Sequence, residues 1–336
     1  MVYSDRLLVL EQAPAFHAAE HCESAYTVEV GMRHIRARHG APWALHVSTF
    51  RPHPPWLASA PFAQDYHHSQ CGGTPRHATI EQEAAAHPYL ADKFRAGPGG
   101  GNAPESEEEL NMLRSQYLAC CAEVDNSLGK LFDFLKERGE WDKTMVIFTA
   151  DHGEQLGEHW ILSKTGFFDG SYNLPMIIRD PRPSADATRG TVVDQYSEAV
   201  DVLPTICEAF GLPVPPAVDG RSLLPFLEGT AEPVSTHAIC RCLWFYVLLV
   251  REQSAVACDL YGVFAWYERL LVAQAQWKDA AHFEFDFRGD AERLGLNPHD
   301  CTLCVLRGER YKFVQFAVPG WPPLLYDLQT DPHEST

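Results

Sequence analysis

One stretch of the chain, residues 106–153, restricts the fold more than any other. Ser106 with Glu109 three residues on is a capping box, a helix start written in sequence. Leu110, Leu113, Tyr117, Cys121, Val124, Leu128, Leu131 and Leu135 then recur at three- and four-residue spacing, the apolar stripe of an amphipathic helix. Gly139 supplies the stop. Residues 144–149, Thr-Met-Val-Ile-Phe-Thr, follow as a near-continuous apolar run, which predicts a strand covered on both faces. Helix, short connection and buried strand make half of a parallel α/β unit.

The surroundings extend that reading. Residues 43–50, WALHVSTF, read as another short buried strand, ended by the prolines of Arg51-Pro52-His53-Pro54-Pro55, which cannot join a ladder. Residues 67–105 are rich in Gly, Pro and His and predict a long surface excursion. A further strand is expected at 174–178 and a helix from about 197 to 210. Past residue 230 the texture changes, with aromatics and strand-like pieces such as HFEFDF (282–287) and RYKFVQF (310–316). These predict a smaller C-terminal subdomain with an antiparallel sheet, and 336 residues accommodate two such domains.

Charge removes several classes of function. Against 27 Lys and Arg stand 45 Asp and Glu, a formal charge of −18, so a nucleic-acid partner is not expected. An anionic substrate would meet a repulsive global field and need a metal or local cations to hold it. No signal peptide is expected: the apolar run near the start covers only Leu7 to Leu10. The longest apolar run, 243–250, is bounded by Arg241 and Arg251 and is too short to span a bilayer. A cytoplasmic protein with no membrane partner is the expectation. The ten cysteines then read as mostly reduced thiols. The Cys301/Cys304 and Cys240/Cys242 pairs lie too far apart in sequence for a finger-like zinc site.

Chemistry concentrates at residues 149–164, TADHGEQLGEHWILSK. A strand ends in Asp151-His152-Gly153, and ligands of open α/β sheets sit at the carboxyl ends of strands. Hard oxygen beside imidazole suits a divalent ion such as Mn²⁺, Zn²⁺ or Ca²⁺. The same pair would serve to cap the next turn, and these two residues alone do not decide. Glu154, Gly157, Glu158, His159 and Lys164 extend the polar cluster. A lysine beside such a site suits a phosphoryl or sulfuryl oxygen.

ADHGEQLGEHWILSK resembles the metal-binding motif of the sulfatase branch of the alkaline phosphatase superfamily, and is most similar to phosphonate monoester hydrolases and related arylsulfatases. Phe50-Arg51-Pro52-His53-Pro54-Pro55, the helix–strand segment ending at the DHG, the blocks 197–227 and 282–313, and LYDLQTDPHE (325–334) carry the same resemblance in the same order. It implies an α/β fold of alkaline phosphatase type, a mixed, mainly parallel sheet between helices, with the antiparallel C-terminal subdomain. Residues 1–230 would form a partial sulfatase-type domain lacking its N-terminal part, and 231–336 the subdomain, with 238–280 unmatched.

The resemblance also assigns roles. Asp151 and His152 would be metal ligands, for Mn²⁺ or Ca²⁺ with Zn²⁺ as a third choice. Lys164 would contact the non-bridging oxygens of the substrate. His53 would be catalytic, meeting the substrate at the leaving-group oxygen. His159 would stand behind the ligands, and residues 218–226 would be structural. The substrate would be a small anionic ester: a sulfate ester, or a phosphonate or phosphate mono- or diester. Homo-oligomers are implied too, because the family often assembles through C-terminal extensions. The family's nucleophile, a formylglycine made from Cys or Ser in a Cys-x-Pro-x-Arg type segment, has no counterpart: none of the ten cysteines stands in that context. The chain therefore reads as an N-terminally truncated member, with a catalytically inactive fragment or pseudoenzyme as the alternative. A two-metal phosphatase or mutase would need further Asp and His clusters that the sequence does not offer.

Overall fold

The computed structural model describes residues 18–66, 71–73, 75–95, 103–231 and 277–335. They form two compact units: the residues through Thr144 with His152–Asn173, and Met145–Asp151 with Leu174–Glu334. The boundary expected near residue 230 falls inside the second unit, and the unmatched segment lies, up to residue 276, outside the described residues.

The first unit is helical: α1 (Glu23–Ala37), α2 (Phe62–Asp65), α3 (Ile80–Ala85), α4 (Pro88–Arg95), α5 (Glu107–Glu137) and α6 (Asp169–Tyr172). α5 is the expected helix, 31 residues long, or about 46 Å at the standard rise. Ser106 caps it, its hydroxyl accepting the Glu109 N–H at 3.3 Å. α1 was not expected from the sequence, although Val28, Met32 and Ile35 keep helical spacing. Its cap is a thiol, Cys22 Sγ accepting from Ala25 N–H at 3.4 Å. The buried face of α1 meets Leu131 and Leu135 of α5. A second cluster joins Leu110, Leu113, Ala119 and Cys120 of α5 to Trp56, Ala58 and Leu162. These last three bracket the site on both sides, since Trp56 lies three residues after His53 and Leu162 two before Lys164.

Residues 43–50 depart from expectation. They are extended, and Trp43, Leu45 and Val47 lie half-buried on the α1–α5 cluster while alternate residues face out. That is the two-residue period of a strand, but among the described residues no ladder partner joins it, so it is not a sheet strand.

The second unit holds two sheets. β1 (Val146–Thr149) and β2 (Met176–Arg179) pair as a two-stranded ribbon, and β3 (Ala280–Asp286), β4 (Thr302–Gly308), β5 (Tyr311–Phe316) and β6 (Leu324–Asp327) form an antiparallel meander. Helix α7 (Val202–Ala209) falls within the expected 197–210. The β1–β2 pairing is antiparallel, with Phe148 opposite Ile177, rather than the expected parallel one. A parallel return needs a crossover, usually a long helix; the helical pieces of the 150–175 connection are a turn or less. Nor is β1 covered on both faces: Phe148 is 40% and Ile177 61% exposed. The meander is antiparallel, as expected, and its burial alternates with the two-residue period of a strand. Leu303 and Val305 on β4 and Val314 and Phe316 on β5 are buried, and Leu303 faces Phe316 as Val305 faces Val314. Lys312, fully buried on β5, bonds Glu334 at 2.5 Å and so ties the end of the described chain to the sheet. Cys301 is buried beside this sheet and Cys304 half-buried on β4, both as free thiols. Among the described residues no helix is long and apolar enough to cross a membrane.

Candidate active site

Two irregular segments of the first unit carry His53, His152 and Lys164. The first, 50–59, is fastened to α5 by Arg51. Its guanidinium pairs with Glu123 at 3.0 Å, donates to Cys120 Sγ at 2.8 Å and to the Leu57 carbonyl at 2.6 Å. Glu123, almost wholly buried, also accepts the Ser59 N–H at 3.2 Å. Trp56 donates its indole N–H to the Pro52 carbonyl at 2.9 Å. His53 is thus presented from a closed loop. Its Nδ1 lies 2.8 Å from the Pro54 carbonyl. A carbonyl only accepts, so Nδ1 carries the proton, and in the neutral ring Nε2 holds the lone pair. Phe50 packs on the imidazole with ring centres 4.5 Å apart.

The second segment runs from His152 to Thr165. Its backbone folds on itself: Gln155 N–H donates to Ser163 O at 3.0 Å, and Gly157 N–H to Ile161 O at 2.8 Å. Leu156, Gly157, His159, Trp160 and Ser163 all have positive φ. For four non-glycine residues that conformation costs energy and persists only where the surroundings enforce it. At Gly157 the glycine is required twice over, by φ of +94° and because a Cβ would stand 2.6 Å from Leu110.

The enforcing contacts come from distant residues. Arg114 of α5 donates to the Leu156 carbonyl at 2.9 Å and to that of Gly72 at 2.8 Å. Burial lowers its guanidinium below the usual value. His159 Nδ1 meets the Glu83 carboxylate of α3 at 2.8 Å, both side chains almost fully buried, and its ring stacks on Phe168 at 3.6 Å. Trp160 donates to the His77 carbonyl at 2.8 Å, under the Arg76 guanidinium 3.8 Å from its ring centre. Tyr89 and Thr165 share a hydroxyl bond of 3.0 Å. His159 therefore ties the loop to α3, and Glu83, the group it needs, gave no signal in the sequence.

The predicted residues meet in part. The His53 and His152 rings stand edge to face with centres 6.5 Å apart. His152 Nδ1 is 2.9 Å from the Gly153 carbonyl, which fixes its proton there as for His53. Lys164, half-buried, follows Ser163 at the loop's far end. Between them lies Glu154, to which the sequence assigned no role of its own. Its carboxylate accepts the N–H of Leu156 at 3.3 Å and that of Ser163. Burial pushes this carboxyl above the ordinary range, opposed by those two N–H groups and by the nearby His152 and Lys164. Asp151 is the exposed last residue of the Met145–Asp151 segment of the second unit.

Buried ionisable groups, an imidazole pair and an ammonium on loops held by strained backbone are the makings of a site for a small anion. The chain belongs to the sulfatase family, whose model matches residues 11–212. It is 34% identical over 329 residues to the multifunctional alkaline phosphatase superfamily protein PehA of Trinickia caryophylli, covering 94% of this chain and 55% of that protein. It is 32% identical over 252 residues to arylsulfatase K of Xenopus laevis, covering 74% and 43%. The crystal structure of the phosphonate monoester hydrolase of Agrobacterium radiobacter superposes with a TM-score of 0.77 at 36% identity, over 97% of this chain and 58% of that one. The fold is of the alkaline phosphatase-like kind found in those sulfatases, and the chain spans about half the length of the curated relatives it matches.

Members of this family are generally metal-dependent. Asp151 and His152 offer two donors, and among the described residues no group of three or more His, Cys, Asp or Glu could hold an ion. Ca²⁺ takes six to eight ligands. The described residues do not complete a metal site.

Proposed function

We propose that this chain carries the anion-contacting and leaving-group part of a hydrolase acting on sulfate esters or on phosphonate or phosphate mono- and diesters. The observation that carries this reading is the meeting of the His53 and His152 rings on loops of the same unit, with Glu154 within electrostatic reach of His152 and Lys164. Lys164 supplies a positive charge for the non-bridging oxygens. That local charge is what a chain of net −18 needs in order to hold an anion. His53, with its proton fixed on Nδ1, presents Nε2 to the leaving-group oxygen; protonated there, it would donate to the departing alkoxide. Asp151 and His152 are the residues that would bind Mn²⁺ or Ca²⁺ together with ligands beyond the described set. Similarity to an arylsulfatase and to a phosphonate monoester hydrolase supports this substrate range.

A second reading, a catalytically inactive binding module, is favoured by the absence of a Cys-x-Pro-x-Arg type segment from the sequence. One experiment separates the two. The purified chain, with and without Mn²⁺, is titrated with an aryl sulfate and an aryl phosphonate monoester while binding and phenol release are followed. Saturable binding that weakens at least about tenfold in Lys164→Ala is expected. Phenol release would support the hydrolase, and binding without release the inactive module. No saturable binding would contradict both.

A further inference from the structure

The His152–Thr165 loop contains one carboxylate whose bonds and neighbours go beyond a structural tie. Glu154 joins the two legs of the loop by accepting from Leu156 N–H on one and Ser163 N–H on the other. Ser163 has φ of +69° and immediately precedes Lys164. The direction in which the lysine leaves the backbone is therefore set at a bond that Glu154 makes. The same carboxylate lies within electrostatic reach of the Lys164 ammonium and the His152 imidazole. Tyr117, a half-buried residue of α5, also feels its charge. A neutral acceptor would suffice to tie the two legs. A buried charge there costs desolvation, and its neighbours are the cation and imidazole proposed above to meet an anion.

We propose that Glu154 is a positioning residue. It orients Lys164 through the Ser163 amide and acts as the internal counter-ion of Lys164, so that an incoming tetrahedral anion competes with it. This rests on the proposed anion site for one of its readouts and stands apart from it for the other two.

The test compares Glu154→Gln and Glu154→Ala with the wild-type chain, using inorganic sulfate as the probe. Gln keeps an oxygen for the two amides and removes the charge; Ala removes both. In Glu154→Gln, sulfate should bind tighter by on the order of tenfold at low salt, because one nearby negative charge is gone. The Leu156 and Ser163 amides should keep their protection from hydrogen exchange. In Glu154→Ala those two amides should exchange about ten- to a hundredfold faster. In both variants the Lys164 side chain should lose order, read by ¹³Cε relaxation. Unchanged sulfate affinity in Glu154→Gln where the wild type binds sulfate would overturn the counter-ion role. Unchanged Ser163 exchange in Glu154→Ala would overturn the positioning role. If the wild type binds no sulfate, the proposed anion site fails, while exchange and Lys164 order still decide the role of Glu154.

Discussion

Residues 153–165 contain little more than one 3-10 turn of regular structure, yet several of their side chains and carbonyls are bonded to distant segments. The β1–β2 ribbon is regular throughout, yet its facing pair, Phe148 and Ile177, stands open. Regularity and rigidity therefore separate in this protein. The loop holds four non-glycine residues at positive φ because Arg114, Glu83, His77 and Tyr89 hold it from outside. Two strands alone form a marginal ribbon. A loop that stores strain under so many constraints is suited to hold functional groups in place, and a ribbon with an open face is not.

Substitutions test that contrast directly, and the largest effect should come from the loop's buried His159–Glu83 hydrogen bond. Glu83→Ala leaves His159 buried without its partner and should cost about 3 kcal/mol in urea denaturation. A loss under about 1 kcal/mol would mean that the loop is not held from α3. Gly153→Ala comes next. A Cβ there would stand 2.1 Å from the Gly170 carbonyl, backbone that has to move. A cost of about 2 kcal/mol is expected by the same measurement.

A smaller, pH-dependent effect belongs to Glu154. Its carboxyl is raised in the folded state by burial. The associated stability is thus fully present below the ordinary carboxylate range and is lost as pH rises through the raised value. Glu154→Gln should flatten that decline when stability is followed from acid to neutral pH; an unaltered slope would place the linkage elsewhere. The smallest effect should come from the ribbon, where Ile177→Thr should change stability by no more than about 0.5 kcal/mol. A much larger loss would show that Ile177 is covered in solution.

The same contrast explains what could be read from the sequence. α5 and the meander of β3 to β6 were legible because each buries one face, and that leaves a period of 3.6 or 2 in the chain. His53, His152 and Lys164 were named through the resemblance carried by two separate segments, 50–55 and 149–164, and of these the structure brings the His53 and His152 rings together. α1 was missed although Val28, Met32 and Ile35 carry its stripe, for its cap is an unusual cysteine and its other residues are mostly polar. The direction of β1–β2 pairing is set by how the 150–175 connection folds, which the apolar pattern of the strands does not encode. Glu83 is invisible for a related reason: its partner lies 76 residues away, and a lone glutamate at a helix start reads as solvated.

On this reading His53, His152 and Lys164 form one anion site in the first unit. Titration of inorganic sulfate into the ¹⁵N,¹³C-labelled chain, observing the two imidazoles and the Lys164 side chain together, tests it most directly. All three should move along a single saturable isotherm, abolished in Lys164→Ala with the fold unchanged. Independent isotherms, or imidazole shifts that survive Lys164→Ala, would contradict it.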